Sequence, residues 1–313
     1  MLTLDQISAA AGRAAPYVAR TPVIALGDGR FLKLESLQPT GSFKVRGFFA
    51  AALALPAERL QRGLLTVSAG NAAQAAAYVA HTLGVACRVF MLDSAPAAKV
   101  NGVRRWGATP VLVPRTELMA WMDQAGWEQE PETFIHPFAD DQVIAGHGGI
   151  GLELLEQTDG LERIFVAAGG GGLISGVASA IRASGRAVEI VGVQSEGYPL
   201  WPRVVEAGGP VPLTPHTIAD GTTAPFNPAM FARLQELVDR WVLIPEAGVR
   251  AAIRELAASV KVVAEGAGAL GYAALKLEPR GSAAAAVLSG ANIDLNLLRD
   301  ILAEDPDAAP SGG

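Results

Sequence analysis

Residues 64–83 read Leu64-Leu65-Thr66-Val67-Ser68-Ala69-Gly70-Asn71 and then an alanine-rich run from Ala72 to Leu83. The apolar and β-branched residues at the start predict a short strand over Leu64–Val67. The run that follows predicts a helix over Ala72–Leu83, because alanine is the strongest helix former. The same rhythm continues with a strand over Val85–Leu92, a helix over Ala95–Trp106, a strand over Pro110–Val113, a helix over Glu117–Trp127 and a short strand over Thr133–Ile135. Such alternation is the pattern of a parallel sheet with helical crossovers.

The pattern extends in both directions. Upstream, Thr3 and Gln6 fit a capping box that opens a helix ending near Pro16. Phe31–Glu35 alternates as a strand, a Gln38-Pro39-Thr40-Gly41 loop follows, and a new helix begins with Ser42 near its first turn and Lys44 just inside. Downstream come a helix over Ile150–Gln157, a strand over Ile164–Ala167, a glycine loop, a helix over Leu173–Ala183 and a strand over Val188–Val193. Helical stretches near Val249–Ser259 and Ala267–Lys276 precede the apolar strand Ala283–Leu288. The expected fold is therefore α/β with two open parallel-sheet units, the shorter inserted in the longer. Residues 50–140 form the small unit, and residues 1–49 with 141–313 form the large one. The segment 305–313 lacks periodicity and reads as a disordered tail.

Composition excludes several function classes. In 313 residues, 25 basic side chains face 31 acidic ones, for a net charge of -6, so no basic footprint for nucleic acid is expected. No apolar run reaches membrane-spanning length, and the N-terminus lacks a basic and apolar leader, so a cytoplasmic protein is expected. The single cysteine, Cys87, precludes an internal disulfide and reads as a buried strand residue. The four histidines have no metal-ligand spacing, so no metal site is expected.

Four segments carry potential chemistry. In Pro39–Gly47, Lys44 stands among Gly, Ser and Phe with only Arg46 as a nearby charge; it is either a solvated lysine or a desolvated amine suited to nucleophilic and base chemistry. Ser68-Ala69-Gly70-Asn71 lies between a strand and a helix, as an ordinary capped turn or as an anion-binding loop. Gly169-Gly170-Gly171-Gly172-Leu173 joins a strand to a helix, and its amides can form a nest for phosphate. In this loop GxGxxG fails in both registers, because Ile174 or Ser175 stands where the third glycine is required, and no GxxxxGK[ST] motif occurs, so a nucleotide is poorly supported there. Ser289-Gly290-Ala291-Asn292 follows a strand, where open α/β sheets place ligands.

Taken in order, these segments resemble the fold type II enzymes that use pyridoxal 5'-phosphate (PLP), specifically the threonine/serine dehydratase family. The likeness runs from Thr21-Pro22 and Lys33-Leu34-Glu35 through the four segments, with Asp220-Gly221 and Glu265-Gly266-Ala267-Gly268-Ala269 in between. It implies two three-layer domains like those of the tryptophan synthase β subunit, a PLP cofactor and a homodimer. It also implies that Lys44 forms the Schiff base and acts as catalytic base, with Phe43 against one face of the cofactor ring. Asn71 would bond the ring's 3'-oxygen, Gly169, Gly170, Gly171, Gly172 and Leu173 would hold the phosphate, and Ser289 would face the pyridine nitrogen. Ser68, Ala69, Gly70 and Asn71 would take the substrate carboxylate. The implied reaction eliminates water from a small hydroxyamino acid such as L-threonine or L-serine.

The chain departs from the family pattern at three places. Ala72 replaces the usual histidine after the loop asparagine, with Ala75 in place of a glycine beyond Gln74. Gly146-His147-Gly148-Gly149 stands for the usual Gly-Gln-Gly-Thr, and Asp220-Gly221 continues as Thr222-Thr223-Ala224-Pro225. Ala69 also lacks the hydroxyl that serine racemases of the family carry there, which argues against racemisation. Gln194 stands where a racemase-like divalent-ion site requires an acid. The rival functions are a β-replacing synthase, a non-catalytic binder of PLP or amino acids, and, resting on the glycine loop alone, a nucleotide-binding oxidoreductase.

Overall fold

The computed structural model describes residues 1–304 apart from Arg280 and Ser282, so the expected tail at 305–313 lies outside the described residues. Among the described residues, strands β1 (Val23–Gly27), β2 (Arg30–Leu34), β3 (Leu64–Val67), β4 (Cys87–Leu92) and β5 (Thr109–Val113) are followed by β6 (Thr133–Phe134), β7 (Arg163–Ala167), β8 (Glu189–Ser195), β9 (Arg240–Ile244) and β10 (Ala284–Leu288). They form a six-stranded sheet in the order β1-β2-β10-β7-β8-β9 and a four-stranded sheet in the order β5-β4-β3-β6. The chain is thus α/β with two parallel-sheet layers, and the strands of the second sheet all fall between those of the first in sequence.

One strand departs from the expected parallel arrangement. β1 pairs antiparallel with β2 at the sheet edge, and the Asp28-Gly29 turn between them has positive φ at both residues. That is the geometry that lets a tight hairpin follow strand twist. β10, inserted between β2 and β7, is buried at every residue, which suits a central parallel strand.

The helix expected over Ile150–Gln157 is much longer, spanning Asp141–Gln157, with the Asp140 carboxylate accepting from the Gln142 and Val143 amides as its cap. Glycines in this stretch weaken helix propensity by up to about 1 kcal/mol each, which hid its first half. Packing reverses the balance. A Cβ on Gly146 would stand 2.6 Å from Arg46 O, and one on Gly148 would stand 2.6 Å from Ile7 and 3.1 Å from Gly176 O. Only glycine lets the helices Leu4–Ala14, Lys44–Ala52 and Gly172–Ala183 close on this central helix.

A buried charge network fixes the helix that starts at Lys44. Arg46 grips the fully buried Glu35 with Nε at 2.7 Å and Nη2 at 2.8 Å, and its Nη1 reaches Glu153 at 2.7 Å. Thr21 Oγ1 donates to Glu35 at 2.6 Å, and Lys33 bridges Glu153, Gln157 and the Thr21 carbonyl. Burial alone would raise the pKa of the Glu35 carboxyl; the Arg46 charge and hydrogen bonds more than offset it and leave the pKa below its ordinary value. No helix among the described residues is long and apolar enough to cross a membrane.

Candidate active site

All four segments emerge at the C-terminal ends of parallel strands. Ser68–Asn71 follows β3, the glycine loop follows β7, Ser289–Asn292 follows β10, and the helix beginning at Lys44 lies just beyond β2. This is where open α/β sheets place their ligands. Backbone bonds then draw the segments together. Phe43 N donates to Ser289 O at 3.0 Å, Ala291 N donates to Gly41 O at 2.9 Å, and Ser42 pairs with Gly290 as an isolated bridge. Ser42 is therefore engaged in this bridge and precedes the helix, whose first residue is Lys44.

The Lys44 amine donates to Pro137 O at 2.7 Å and lies 5.1 Å from the centre of the Phe43 ring. Burial pushes its pKa down to about 8 from 10.5, because the ammonium form loses hydration there. A substantial fraction is then neutral and nucleophilic near physiological pH. His136 stays neutral as well. Burial first, and then the Lys44 charge, lower its pKa to about 4, and its Nδ1 accepts the Phe138 and Ala139 amides. His147, buried and edge-on to Phe43 at 4.7 Å, is pushed well below its ordinary pKa, by burial ahead of the Lys44 and Arg46 charges.

The glycine loop lies against the same wall as Lys44. A Cβ on Gly170 would meet the Phe138 ring at 2.4 Å, and one on Gly172 would meet Phe138 O at 2.7 Å. Pro137 therefore touches the lysine while its neighbour Phe138 touches the loop. Gly171 has φ +90, a conformation that side-chain-bearing residues rarely adopt, and it turns the chain into the helix Gly172–Ala183. Among the described residues, the amides of Gly169–Leu173 donate to no acceptor, and the first amide bonded at this helix start is Ser175 N, to Gly171 O at 2.9 Å. Several N–H groups at a helix N-terminus are thus free for an anion.

Asn71 is oriented from both ends of its amide. Its Nδ2 donates to Glu265 Oε1 at 2.6 Å, and its Oδ1 accepts from Asn292 Nδ2 at 2.7 Å. Asn292 also donates to Thr40 O at 2.8 Å, and Gly70 N donates to Ser68 Oγ at 3.0 Å. Burial raises the Glu265 pKa to about 7, the Asn71 bond opposing and the Asp220 charge adding. Ser289, 4% exposed, offers a neutral hydroxyl that lies 3.5 Å from Ala267 O. Ala69 presents only a methyl beside this loop, and Ala72 is buried in the helix Asn71–Leu83.

The structure adds Pro137 and Phe138, which the sequence does not single out and which join the lysine to the glycine loop; their only signal was position, just after the end of β6. Glu265, in the sequence part of the Glu265–Ala269 segment of the resemblance but given no role there, sets the amide of Asn71. No cluster of three or more His, Cys, Asp or Glu side chains able to hold a metal ion occurs among the described residues.

An amine with a lowered pKa, a loop with free amides and a neutral hydroxyl are thus drawn to one side of the large sheet, and the chain can be compared with known proteins. The model of the family described as "Pyridoxal-phosphate dependent enzyme" matches residues 14–290. The chain belongs to this family. It is 37% identical to the L-threonine ammonia-lyase of Thermotoga maritima over 316 aligned residues, covering 96% of this chain and 78% of the relative. Among solved structures it is similar to a threonine deaminase from T.th. (TM-score 0.85, 37% identity, 94% and 99% of the two chains). Maize serine racemase is similar too (TM-score 0.88, 31% identity, 95% and 96%). These residues fit the cofactor of this PLP-dependent family, because the free loop amides suit its phosphate and the desolvated amine suits its aldehyde carbon.

Proposed function

We propose that this chain is a PLP-dependent lyase that removes water from a small hydroxyamino acid, L-threonine or L-serine, to give a 2-oxo acid and ammonia. The observation that carries the reading is the Lys44 amine, lowered to a pKa of about 8 and joined through Pro137 and Phe138 to a glycine loop with free amides. The relatives named as an L-threonine ammonia-lyase and a threonine deaminase support the same substrate class.

In this reading Lys44 would hold the cofactor, with Phe43 beside its ring, Gly169–Leu173 for its phosphate, Asn71 for its 3'-oxygen and Ser289 for its ring nitrogen. The bound cofactor supplies an electron sink that makes the α-hydrogen of an attached amino acid acidic. Lys44 Nζ accepts that proton in its neutral form, and its lowered pKa suits the task. Ser68–Asn71, at the start of a helix, binds the substrate carboxylate. Ser289 would have no charge with which to hold a proton on the ring nitrogen, which would favour loss of the β-hydroxyl over transamination; the proton taken up by Lys44 Nζ would pass to the leaving oxygen, so that water departs. The product released from the protein is an enamine, which takes up water to become the 2-oxo acid and ammonia. Ala69 offers no acid on the opposite face, so the α-carbon is not reprotonated with inversion.

The same reading treats residues 50–140 as a small lobe and the remainder as a large one, since β3–β6 pair only with one another. It carries a homodimer, which sedimentation equilibrium checks.

Incubating the purified holo-protein with L-threonine and L-serine tests the activity. The expected products are 2-oxo acid and ammonia in equal amounts, at a rate unchanged by a chelator. Absence of turnover, together with activity on O-acetylserine plus sulfide, would make it a β-replacing synthase. A spectrally intact cofactor with no elimination from any hydroxyamino acid would make it a binder.

A second expectation concerns pH. Cofactor capture requires the neutral Lys44 amine, so the rate constant for PLP uptake by the apo-protein rises about tenfold per pH unit below pH 8 and levels off above it. Stopped-flow absorbance follows it. A rate still rising steeply at about pH 10, the range of an unperturbed lysine, would show an ordinary, solvated amine.

A further inference from the structure

Two carbonyl groups at the entrance of the glycine loop are tied to the large sheet. Gln194 in β8 donates from Nε2 to Ala168 O at 2.8 Å, while its Oε1 accepts from Trp201 N, also at 2.8 Å. Trp201 in turn donates from Nε1 to Gly169 O at 2.7 Å. Both side chains are completely buried. They form one unit, in which the glutamine holds the first residue of the pair and also the backbone of the tryptophan that holds the second.

A trans peptide is planar, with its N–H directed opposite to its C=O, and the described residues contain no cis bond. Fixing Ala168 O therefore fixes the direction of the Gly169 N–H, and fixing Gly169 O fixes that of the Gly170 N–H. Both amides are aimed away from Gln194 and Trp201. The residue before them is anchored too, since Ala168 N donates to Val193 O at 3.0 Å. A run of four glycines is otherwise the freest backbone a chain can contain, and ordering it would weaken ligand binding. The uncharged amide matters as well: a carboxylate at residue 194 would repel Ala168 O and could not donate to it.

We propose that Gln194 and Trp201 are positioning residues that hold the Gly169 and Gly170 amides toward a phosphate, so that the cofactor meets a preformed cradle. The proposal rests on the reading of the 169–173 loop as the phosphate site. Neither residue belongs to the motifs that mark the family resemblance, and neither is placed against the reacting atoms.

The test compares PLP with pyridoxal, which lacks the phosphate. Apo-protein is titrated with each, following cofactor absorbance, for the wild type, Trp201→Phe and Gln194→Met. The phenylalanine variant keeps most of the ring volume and deletes one donor, so it carries the test even if Gln194→Met fails to fold. Each folded variant should bind PLP roughly tenfold more weakly while its pyridoxal affinity is unchanged. Unchanged PLP affinity overturns the proposal, and so does a parallel loss for both ligands, which would show a general structural role. A wild type that binds PLP and pyridoxal equally would overturn the phosphate-loop reading itself, a result distinct from either.

Discussion

Lys44→Ala abolishes turnover of hydroxyamino acids, with kcat falling by at least about 10³-fold. Three features of this lysine converge on the size of the effect. It starts a helix at the C-terminal side of the large sheet, it donates to Pro137 O beside the glycine loop, and burial lowers its pKa to about 8. In the proposed mechanism, removing it deletes both the covalent anchor and the proton acceptor. Lys44→Arg should not restore activity, because a guanidinium stays protonated and cannot attack a carbonyl carbon. Steady-state oxo-acid assays check both variants. The alanine variant should still bind PLP through the glycine loop, without the absorbance of the covalent form. Turnover within tenfold of wild type in Lys44→Ala would remove this residue from the mechanism.

Arg46→Met produces the largest loss of stability. The substitution keeps much of the length of the side chain but leaves Glu35 fully buried without its bidentate partner and strips two bonds from Glu153. Removing one member of a buried ion pair costs about 3–5 kcal/mol, because the remaining charge is neither hydrated nor paired. In the wild type the Glu35 pKa is lowered, so its contribution is present above the ordinary value of 4.5 and is lost as the pH falls. Without Arg46, burial is opposed by the weaker Thr21 bond and Lys33 charge, so the folded pKa should rise and the deficit relative to wild type should shrink as the pH falls. Adding Glu35→Gln to Arg46→Met should also recover part of it. Denaturant melts at several pH values read out both effects, and a variant with wild-type stability at neutral pH would show that the network is dispensable.

Much of the fold could be read along the chain because local signals agreed with tertiary structure. The Thr3–Gln6 capping box, the strand at Leu64–Val67 and the helix into Leu83 appear essentially where patterning puts them. Legibility failed where packing overrides propensity. The glycines at 146, 148 and 149 look like a loop and are instead the contact surface of a central helix. The hairpin at Asp28-Gly29 went unread because its first strand is short and only half-buried at the sheet edge. β9 and the helices Leu200–Ala207 and Pro228–Leu237 also went unread: β9 is a five-residue run, the first helix is only eight residues long with Pro202 inside it, and the second opens on Pro228.

The candidate site was legible as four separate segments, each ambiguous alone. Folding brings Lys44, Asn71, the glycine loop and Ser289 to the C-terminal side of the sheets, and what the sequence could not show is how they are held there. Asn71 meets Glu265 across 194 positions, and Gln194 meets Ala168 across 26. Contacts of that separation leave no local pattern. Gln194, which in the sequence marks an acid missing from a metal site, is in the structure a two-sided amide bonded to both the loop and Trp201.

Reductive trapping decides whether Lys44 carries the cofactor. The holo-protein is treated with borohydride, digested and mapped by mass spectrometry. The expected result is loss of the visible absorption band and a single stable pyridoxyl adduct on the peptide carrying Lys44, absent when the lysine is alanine. An adduct on another lysine, or none on a protein that still eliminates water from threonine or serine, would contradict it.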